Sequence, residues 1–238
     1  MTRTPKNKTE KGEEIVNSPV QKIVPEIPSE KPKGEPLLKR VFEGARIVAL
    51  AGATSSGKTN AIMYLLKNYR EYNKTTEILI YGVQPAVMKW ASENLGATEI
   101  SSLDHISDRD NSIFYLDECH LLGLNDRKNN EQIQAFAAFI AHANNYCILS
   151  SASTRIFNSN LCSVIQKWLL KTVKFESLVN GSDLKRTIQN YRGRYKRLKN
   201  VIIPVDKLLV ISEAEEVILD IPYMPEIDTK AELPDLFG

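Results

Sequence analysis

The chain has 238 residues, of which 42% are hydrophobic and 25% are charged, and its formal net charge is +2 at pH 7. This length accommodates one α/β domain with tails and leaves little room for a second complete domain. No apolar run approaches the length that spans a bilayer, the N-terminus lacks a hydrophobic signal segment, and the three cysteines have no metal-ligand spacing. We therefore expect a cytoplasmic protein with reduced thiols and no membrane span.

The first 36 residues are mainly Lys, Glu, Pro, Ser and Thr, with apolar residues only in scattered pairs. Such a segment buries too little surface to offset the entropy lost on ordering, so we expect a disordered arm over residues 1–36. Residues 37–42 are a candidate leading strand, with a turn at 43–44. We place the main folded domain at residues 37–205 and an acidic C-terminal tail at residues 206–238.

A strand over residues 46–51 leads into a glycine-bounded loop that matches G-x-x-x-x-G-K-[ST], and an amphipathic helix follows over residues 58–73. Glycines let backbone N–H groups curl around a phosphate, and the helix start adds its positive dipole end. The pattern predicts a P-loop that binds ATP and Mg²⁺, with Lys58 at the β- and γ-phosphates as a catalytic residue and Thr59 on the metal. The expected nucleotide-binding residues are Gly52, Ala53, Thr54, Ser55, Ser56, Gly57, Lys58 and Thr59.

Strands and helices alternate beyond this loop. Strands are expected at residues 77–82, 97–103, 112–116, 146–151 and 168–175, and helices at 85–95, 130–144 and 160–166. This alternation predicts a three-layer α/β fold with a mostly parallel sheet, and ligand-binding loops at the carboxyl ends of the strands. A small β-rich C-terminal extension should follow, with an antiparallel ribbon at 187–197 and short strands at 201–205 and 208–211.

The strand over residues 112–116 ends in two acids, 59 residues beyond the P-loop lysine. A Walker B element has this form, so Asp117 is a candidate Mg²⁺ ligand and Glu118 a candidate catalytic base that orients the attacking water. The next strand ends in a polar run, and in a parallel sheet that end lies beside the acids. Ser151 and Ser153 are therefore candidate sensors of the γ-phosphate, or else simply cap the next helix, and Arg155 is a candidate phosphate or subunit contact.

The tetrad Asp117-Glu118-Cys119-His120 resembles the DExH motif of superfamily 2 helicases. Those helicases use two tandem ATPase domains, whereas only 85 residues follow Ser153 here. A complete helicase of that type is therefore not expected, although a single-domain helicase-like ATPase stays open.

The order of these motifs over residues 47–175 resembles the FtsK–HerA superfamily of P-loop ATPases, and in particular its viral genome-packaging ATPases. The chain departs from that family's pattern at the sensor, where serines replace the usual glutamine. The resemblance implies a RecA-like domain, an oligomeric ring with a hexamer as the expected form, and ATP-driven translocation of double-stranded DNA. It also implies a virion or membrane-vertex protein as a further partner, and a location in the host cytoplasm or with the virion.

Charge is distributed unevenly along the C-terminal half. Ten Lys or Arg residues stand against two acids over residues 161–200, whereas nine acids stand against two lysines over residues 206–238. The basic stretch is suited to binding the DNA phosphate backbone without recognising a sequence. A solvated basic face followed by a solubilising acidic tail explains the charge distribution equally well. In a ring, an arginine supplied in trans stabilises the transition state. The candidates for that arginine or for DNA contact are Arg155, Arg192, Arg194 and Arg197.

Two other functions use the same loop. One is an ATP-dependent assembly or secretion factor that binds protein rather than DNA. The other is a small-molecule kinase, which the acidic pair disfavours because activated water competes with the phosphate acceptor. Salt-sensitive DNA binding separates the first alternative from a DNA motor.

Overall fold

The computed structural model describes residues 35–52, 55–102, 106, 109–122, 130–151, 157–171, 182–189, 191, 198, 201 and 203–227. Within them, the strands are β1 Ile47–Gly52, β2 Glu77–Tyr81, β3 Thr98–Glu99, β4 Ser112–Leu116, β5 Tyr146–Ser151, β6 Lys167–Lys171, β7 Lys207–Ile211 and β8 Glu216–Asp220. The α-helices are α1 Leu37–Phe42, α2 Lys58–Tyr72, α3 Pro85–Leu95, α4 Asn130–His142, α5 Ser159–Val164 and α6 Asp183–Gln189. Short 3-10 turns cover Cys119–Leu122 and Pro225–Ile227.

The strands form one sheet in the order β3-β2-β4-β5-β1-β6-β7-β8. The pairs from β3 to β6 are parallel, whereas β7 and β8 are added antiparallel at one edge. The strand that leads into the P-loop, β1, lies between β5 and β6, and β5 separates it from β4, which carries the acids. The carboxyl ends of β1, β5 and β4 therefore lie side by side at one edge of the sheet, where this class of fold binds its ligands.

Helices cover both faces of the sheet and bury a separate apolar cluster on each. Side chains of α1, α2 and α3 pack on one face, and side chains of α4, α5 and α6 pack on the other. Every position of β1 and β4 is buried, as expected for central strands that are covered on both faces. The three-layer, mostly parallel α/β fold predicted from the sequence is confirmed. In the described part of the chain, no helix has the length and apolar character to cross a membrane.

Residues 37–42 form a helix, and the prediction of a leading strand there is wrong. Leu37, Leu38, Val41 and Phe42 are buried while Lys39 is exposed. Burial at positions i, i+1, i+4 and i+5 follows the helical period, whereas a strand with one buried face would alternate residue by residue. The backbone N–H of Leu37 donates to Asn68 Oδ1 at 2.9 Å, which fixes the start of α1 to α2.

The C-terminal region differs from the prediction in three places. Residues 187–189 end helix α6 rather than begin a ribbon, because Leu184 and Ile188, four residues apart, are both buried. Residues 201 and 203–205 form no strand. The strand predicted at 208–211 is confirmed as β7, but β8 was not predicted, and both strands lie within the segment assigned to the acidic tail. Residues 190 and 192–197 of the predicted ribbon, and the predicted disordered arm up to residue 34, lie outside the described residues.

Candidate nucleotide-binding site

The loop between β1 and α2 is shaped by its two glycines. A Cβ on Gly52 would lie 2.2 Å from the carbonyl oxygen of Lys171 and 2.7 Å from Ser56 Oγ, so only glycine fits there. Gly57 has a left-handed φ of +79° at the N-cap of α2, and Ser55 is also left-handed at +60°. This sequence of conformations turns the chain sharply from the strand into the helix. Ala53 and Thr54 lie outside the described residues.

Lys58 and Thr59 open helix α2 and point their polar groups back toward the loop. The Lys58 ammonium donates to the Gly52 carbonyl oxygen at 3.1 Å, and the residue is only 8% exposed. Burial lowers the pKa of Lys58, and the nearby charges of Asp117 and Glu118 oppose that shift. The side chain is therefore a partly desolvated cation above the loop, which an anion would stabilise.

The acids after β4 lie beside the first turn of α2. Thr59 Oγ1 donates to Asp117 Oδ2 at 3.2 Å. The Asp117 backbone N–H donates to Tyr81 O at 2.9 Å, which extends the pairing of β4 with β2 by one residue. A Cβ on Gly82 would lie 2.5 Å from the Asp117 carbonyl oxygen, so this glycine allows the close approach. Sequence reasoning missed Gly82, although a glycine at a strand end was its signal.

Glu118 occupies a strained backbone conformation. Its φ is +45°, in the left-handed region that residues with a Cβ seldom adopt, and its N–H donates to Asp117 Oδ1 at 3.1 Å. Its side chain is 33% exposed and approaches His120 Nδ1 at 3.3 Å. Strain of this kind is concentrated at functional sites, where the surrounding structure holds a residue in place. The carboxylate is thus accessible to water at the sheet edge.

Cys119, between these two residues, is a buried thiol. Burial first, and then the charges of Glu118 and Asp117, raise the pKa of Cys119 to about 12. The thiol is therefore protonated at neutral pH and is neither a nucleophile nor a ready metal ligand.

A buried hydroxyl cluster lies under the loop and the acids. The Tyr115 hydroxyl is fully buried, and its pKa lies well above the usual range, first because of burial and then because of Asp117. Thr59 and Ser150 are near enough to oppose that rise. Within the described residues, three buried hydroxyl oxygens have no hydrogen bond of normal distance and angle: Ser56 Oγ, Ser150 Oγ and Tyr115 OH. Buried polar groups usually have a hydrogen-bond partner, so weakly bonded hydroxyls at this edge are available to a polar ligand or an ordered water. Sequence reasoning missed Tyr115, whose signal was a phenol within an apolar strand.

The residues brought together provide oxygen donors suited to Mg²⁺. The Thr59 hydroxyl and the Asp117 carboxylate are already within 3.2 Å of each other. Hydroxyl and carboxylate oxygens are hard ligands, and Mg²⁺ is typically held by one or two protein groups together with phosphate oxygens and water. The donor set therefore fits this ion.

Ser151 is fully buried at the end of β5, opposite Ala51 of β1. Since β5 separates β1 from β4, Ser151 lies between the strand that leads into the loop and the strand that ends in the acids. A sensor of the γ-phosphate needs such a position. Ser153, Arg155, Arg192, Arg194 and Arg197 lie outside the described residues, so their assigned roles stay predictions.

Lys171 was not singled out from the sequence. It ends β6, pairs with Gly52 in the parallel register of β1 and β6, and is 3% exposed. No local motif marks it, because only the pairing of β6 with β1 brings it to the loop.

The sequence matches no family model, and no curated protein is significantly similar to it. Solved structures with a similar fold include the genome packaging NTPase B204 from Sulfolobus turreted icosahedral virus 2. Its complex with ATP-gammaS has a TM-score of 0.54 and 13% identity, covering 74% of this chain and 96% of that chain. Its complex with AMP has a TM-score of 0.51 and 14% identity, and the similarity covers 78% of this chain and 100% of that chain. At this identity the similarity establishes the fold. The expected resemblance to viral genome-packaging ATPases with a P-loop is thereby confirmed at the level of the fold.

Proposed function

We propose that this protein is a Mg²⁺-dependent ATPase that works as an oligomeric motor on double-stranded DNA, with viral genome packaging as its role. The observation that carries the ATPase is the convergence of Lys58, Thr59, Asp117 and Glu118 at one edge of the sheet. The resemblance in fold to a packaging NTPase supports the choice of motor.

In the proposed mechanism the loop cradles the phosphates between its two glycines, and the Lys58 ammonium leaves the Gly52 carbonyl to contact the β- and γ-phosphates. Thr59 and Asp117 would hold Mg²⁺, which would supply positive charge to the phosphate oxygens. Glu118 accepts a hydrogen bond from the attacking water and orients it in line with the γ-phosphate. Ser151 and Ser153 are proposed to report loss of that phosphate.

Work on DNA rests on the basic stretch and on the resemblance. Lysines and arginines outnumber acids ten to two over residues 161–200, a composition that suits phosphate backbone contact. We propose a ring, with a hexamer as the expected form, in which Arg155, Arg192, Arg194 or Arg197 acts in trans or contacts DNA. A virion or membrane-vertex protein as partner, and a location in the host cytoplasm or with the virion, belong to the same proposal.

The test measures phosphate release with ATP and Mg²⁺, with and without duplex DNA, together with the oligomeric state in the presence of nucleotide. We expect duplex DNA to stimulate hydrolysis, in a way that falls steeply with salt. Lys58→Ala should lose nucleotide binding or turnover, whereas Lys89→Ala, on the exposed side of α3, should retain both. Hydrolysis that ignores DNA, with no DNA binding at low salt, would favour an ATP-dependent assembly factor instead. Absence of ATP hydrolysis under all conditions would overturn the proposal.

A further inference from the structure

Lys171 contacts both glycines of the phosphate loop. Its carbonyl oxygen lies where a Cβ on Gly52 would clash, at 2.2 Å, and its Cε would lie 3.3 Å from a Cβ on Gly57. The side chain therefore runs from the end of β6 along the N-cap of α2. That N-cap is the point at which helix amides face a bound phosphate.

The Lys171 ammonium is held by backbone oxygens alone in the described part of the chain. It donates to Val205 O and, at 3.3 Å, to Lys207 O, and no described carboxylate lies within ion-pair distance. The residue is 3% exposed. Burial lowers the pKa of Lys171, and the charge of Asp206 opposes that shift. A buried cation without a bound counter-ion is costly unless an anion approaches it.

Lys167 offers a direct contrast at the other end of the same strand. It is also buried, at 4% exposed, but its ammonium forms an ion pair with Glu215 and donates to Arg40 O at 3.3 Å. The strand thus holds two buried lysines. Lys167 has a carboxylate partner, whereas Lys171 has only backbone oxygen partners and its Cε lies beside the N-cap of α2.

We propose that Lys171 is a second cation of the phosphate loop, which strengthens binding of a nucleoside triphosphate through its charge and favours ligands with more phosphates. This inference rests on the proposed function, since it needs a triphosphate in the loop. Lys58 acts by contact, whereas Lys171 acts through the poorly screened space behind Gly57, where Coulomb interactions are stronger than in water. The residue therefore tunes affinity rather than the chemical step.

The test compares Kd values for Mg-ATP, Mg-ADP and adenosine by calorimetry in the full-length protein and in Lys171→Gln. Glutamine keeps amide donors for the two carbonyls but removes the charge. We expect ATP affinity to fall about tenfold, which is about 1.4 kcal/mol, ADP affinity to fall less, and adenosine binding to stay unchanged. Lys167→Gln is the matched control, and it should lower the melting temperature while leaving ATP affinity intact. Equal loss for all three ligands, or no loss for ATP, would overturn the inference.

A second variant decides the question if Lys171→Gln does not fold. Asp206 is an exposed acid whose field reaches Lys171, and Asp206→Asn removes it with little risk to folding. Because less of the cation's field is then neutralised, we expect ATP to bind about twofold more tightly. Unchanged or weaker binding in Asp206→Asn would contradict the inference. Failure of the parent protein to bind ATP at all would instead defeat the proposed ATPase, so the two failures are distinct.

Discussion

The Thr59 hydroxyl donates to the Asp117 carboxylate at 3.2 Å and so joins two side chains that are 58 residues apart in the chain. Thr59 is fixed by the first turn of α2, and Asp117 by the backbone hydrogen bond to Tyr81. Both proposed Mg²⁺ ligands are therefore oriented by regular structure before any ion binds. Such preorganisation lowers the entropic cost of binding the ion and the nucleotide together.

Replacing Thr59 with valine removes one proposed metal ligand and keeps the shape of the side chain. We expect Thr59→Val to reduce Mg²⁺-dependent ATP hydrolysis at least about a hundredfold, because the ion loses a ligand that positions it against the phosphates. Steady-state kinetics across a Mg²⁺ titration measure this effect. Thr75→Val, at an exposed threonine near β2, is the control and should behave as the parent. Parental turnover in Thr59→Val would remove this residue from the proposed metal site.

Glu118→Gln separates binding from chemistry. Glutamine preserves the size of the side chain and its place near His120 but does not activate water, so we expect nucleotide affinity to be kept and turnover to fall by about 10²–10⁴-fold. Single-turnover phosphate release together with a binding isotherm measures both quantities. Glu131→Gln, on the exposed start of α4, should have no effect. If Glu118→Gln hydrolyses ATP as fast as the parent protein, another group activates the water.

The site was predictable where its chemistry is local in sequence. The P-loop and the acidic pair each lie within a few consecutive residues, next to strands with an unambiguous apolar pattern. Their convergence followed from the rule that parallel strands place their carboxyl ends at one edge. Tyr115 and Lys171 were missed, because each is a polar residue inside an apolar strand. Only the strands and helices packed against such a residue determine which groups its side chain contacts.

The errors in the fold have a similar origin. Residues 37–42 are too few to distinguish paired apolar residues of a helix from a short strand by pattern alone. At the other end, a count of nine acids hid the apolar triplet of β8, which joins the sheet by pairing with β7. Average charge describes a segment's surface, whereas its place in the sheet depends on a short run of buried apolar residues.

Gly52 tests how tightly β6 packs against the loop. In Gly52→Ala the new methyl group would lie 2.2 Å from the Lys171 carbonyl oxygen, so backbone must move. We expect a loss of about 1–3 kcal/mol in the free energy of unfolding, and weaker nucleotide binding. Gly96→Ala is the comparison, because its φ is +62° but nothing lies within 4 Å. Its cost should be limited to about 1 kcal/mol of backbone strain, with nucleotide affinity unchanged. Chemical denaturation of both variants would contradict this account if Gly96→Ala were the more damaging.

Asn60 fastens the C-terminal segment to the start of α2. Its side-chain amide donates to Met224 O at 2.7 Å, and its carbonyl accepts from Met224 N at 3.0 Å, with the residue 8% exposed. Asn60→Ala leaves two buried backbone groups without partners, so we expect a loss of about 2–4 kcal/mol of stability. Asn68→Ala removes one half-buried bond, to Leu37 N, and should cost less. Urea unfolding monitored by tryptophan fluorescence measures the stability of both variants. Equal losses of stability would argue against the pair of hydrogen bonds between Asn60 and Met224.

Lys171 should also leave a signature in the pH dependence of stability without nucleotide. Burial lowers its pKa in the folded state, whereas the unfolded chain keeps the ordinary value of 10.5. Between these two values the unfolded state binds more protons, so the contribution of Lys171 to the free energy of unfolding rises with pH. Below that window its buried charge is a constant cost. We therefore expect the parent protein to gain stability relative to Lys171→Met as pH rises toward 10.5. Denaturation series on both proteins measure the difference, in which the titration of other lysines largely cancels. A difference that stays flat, or that moves in the variant's favour, would show that Lys171 is not desolvated in the folded protein.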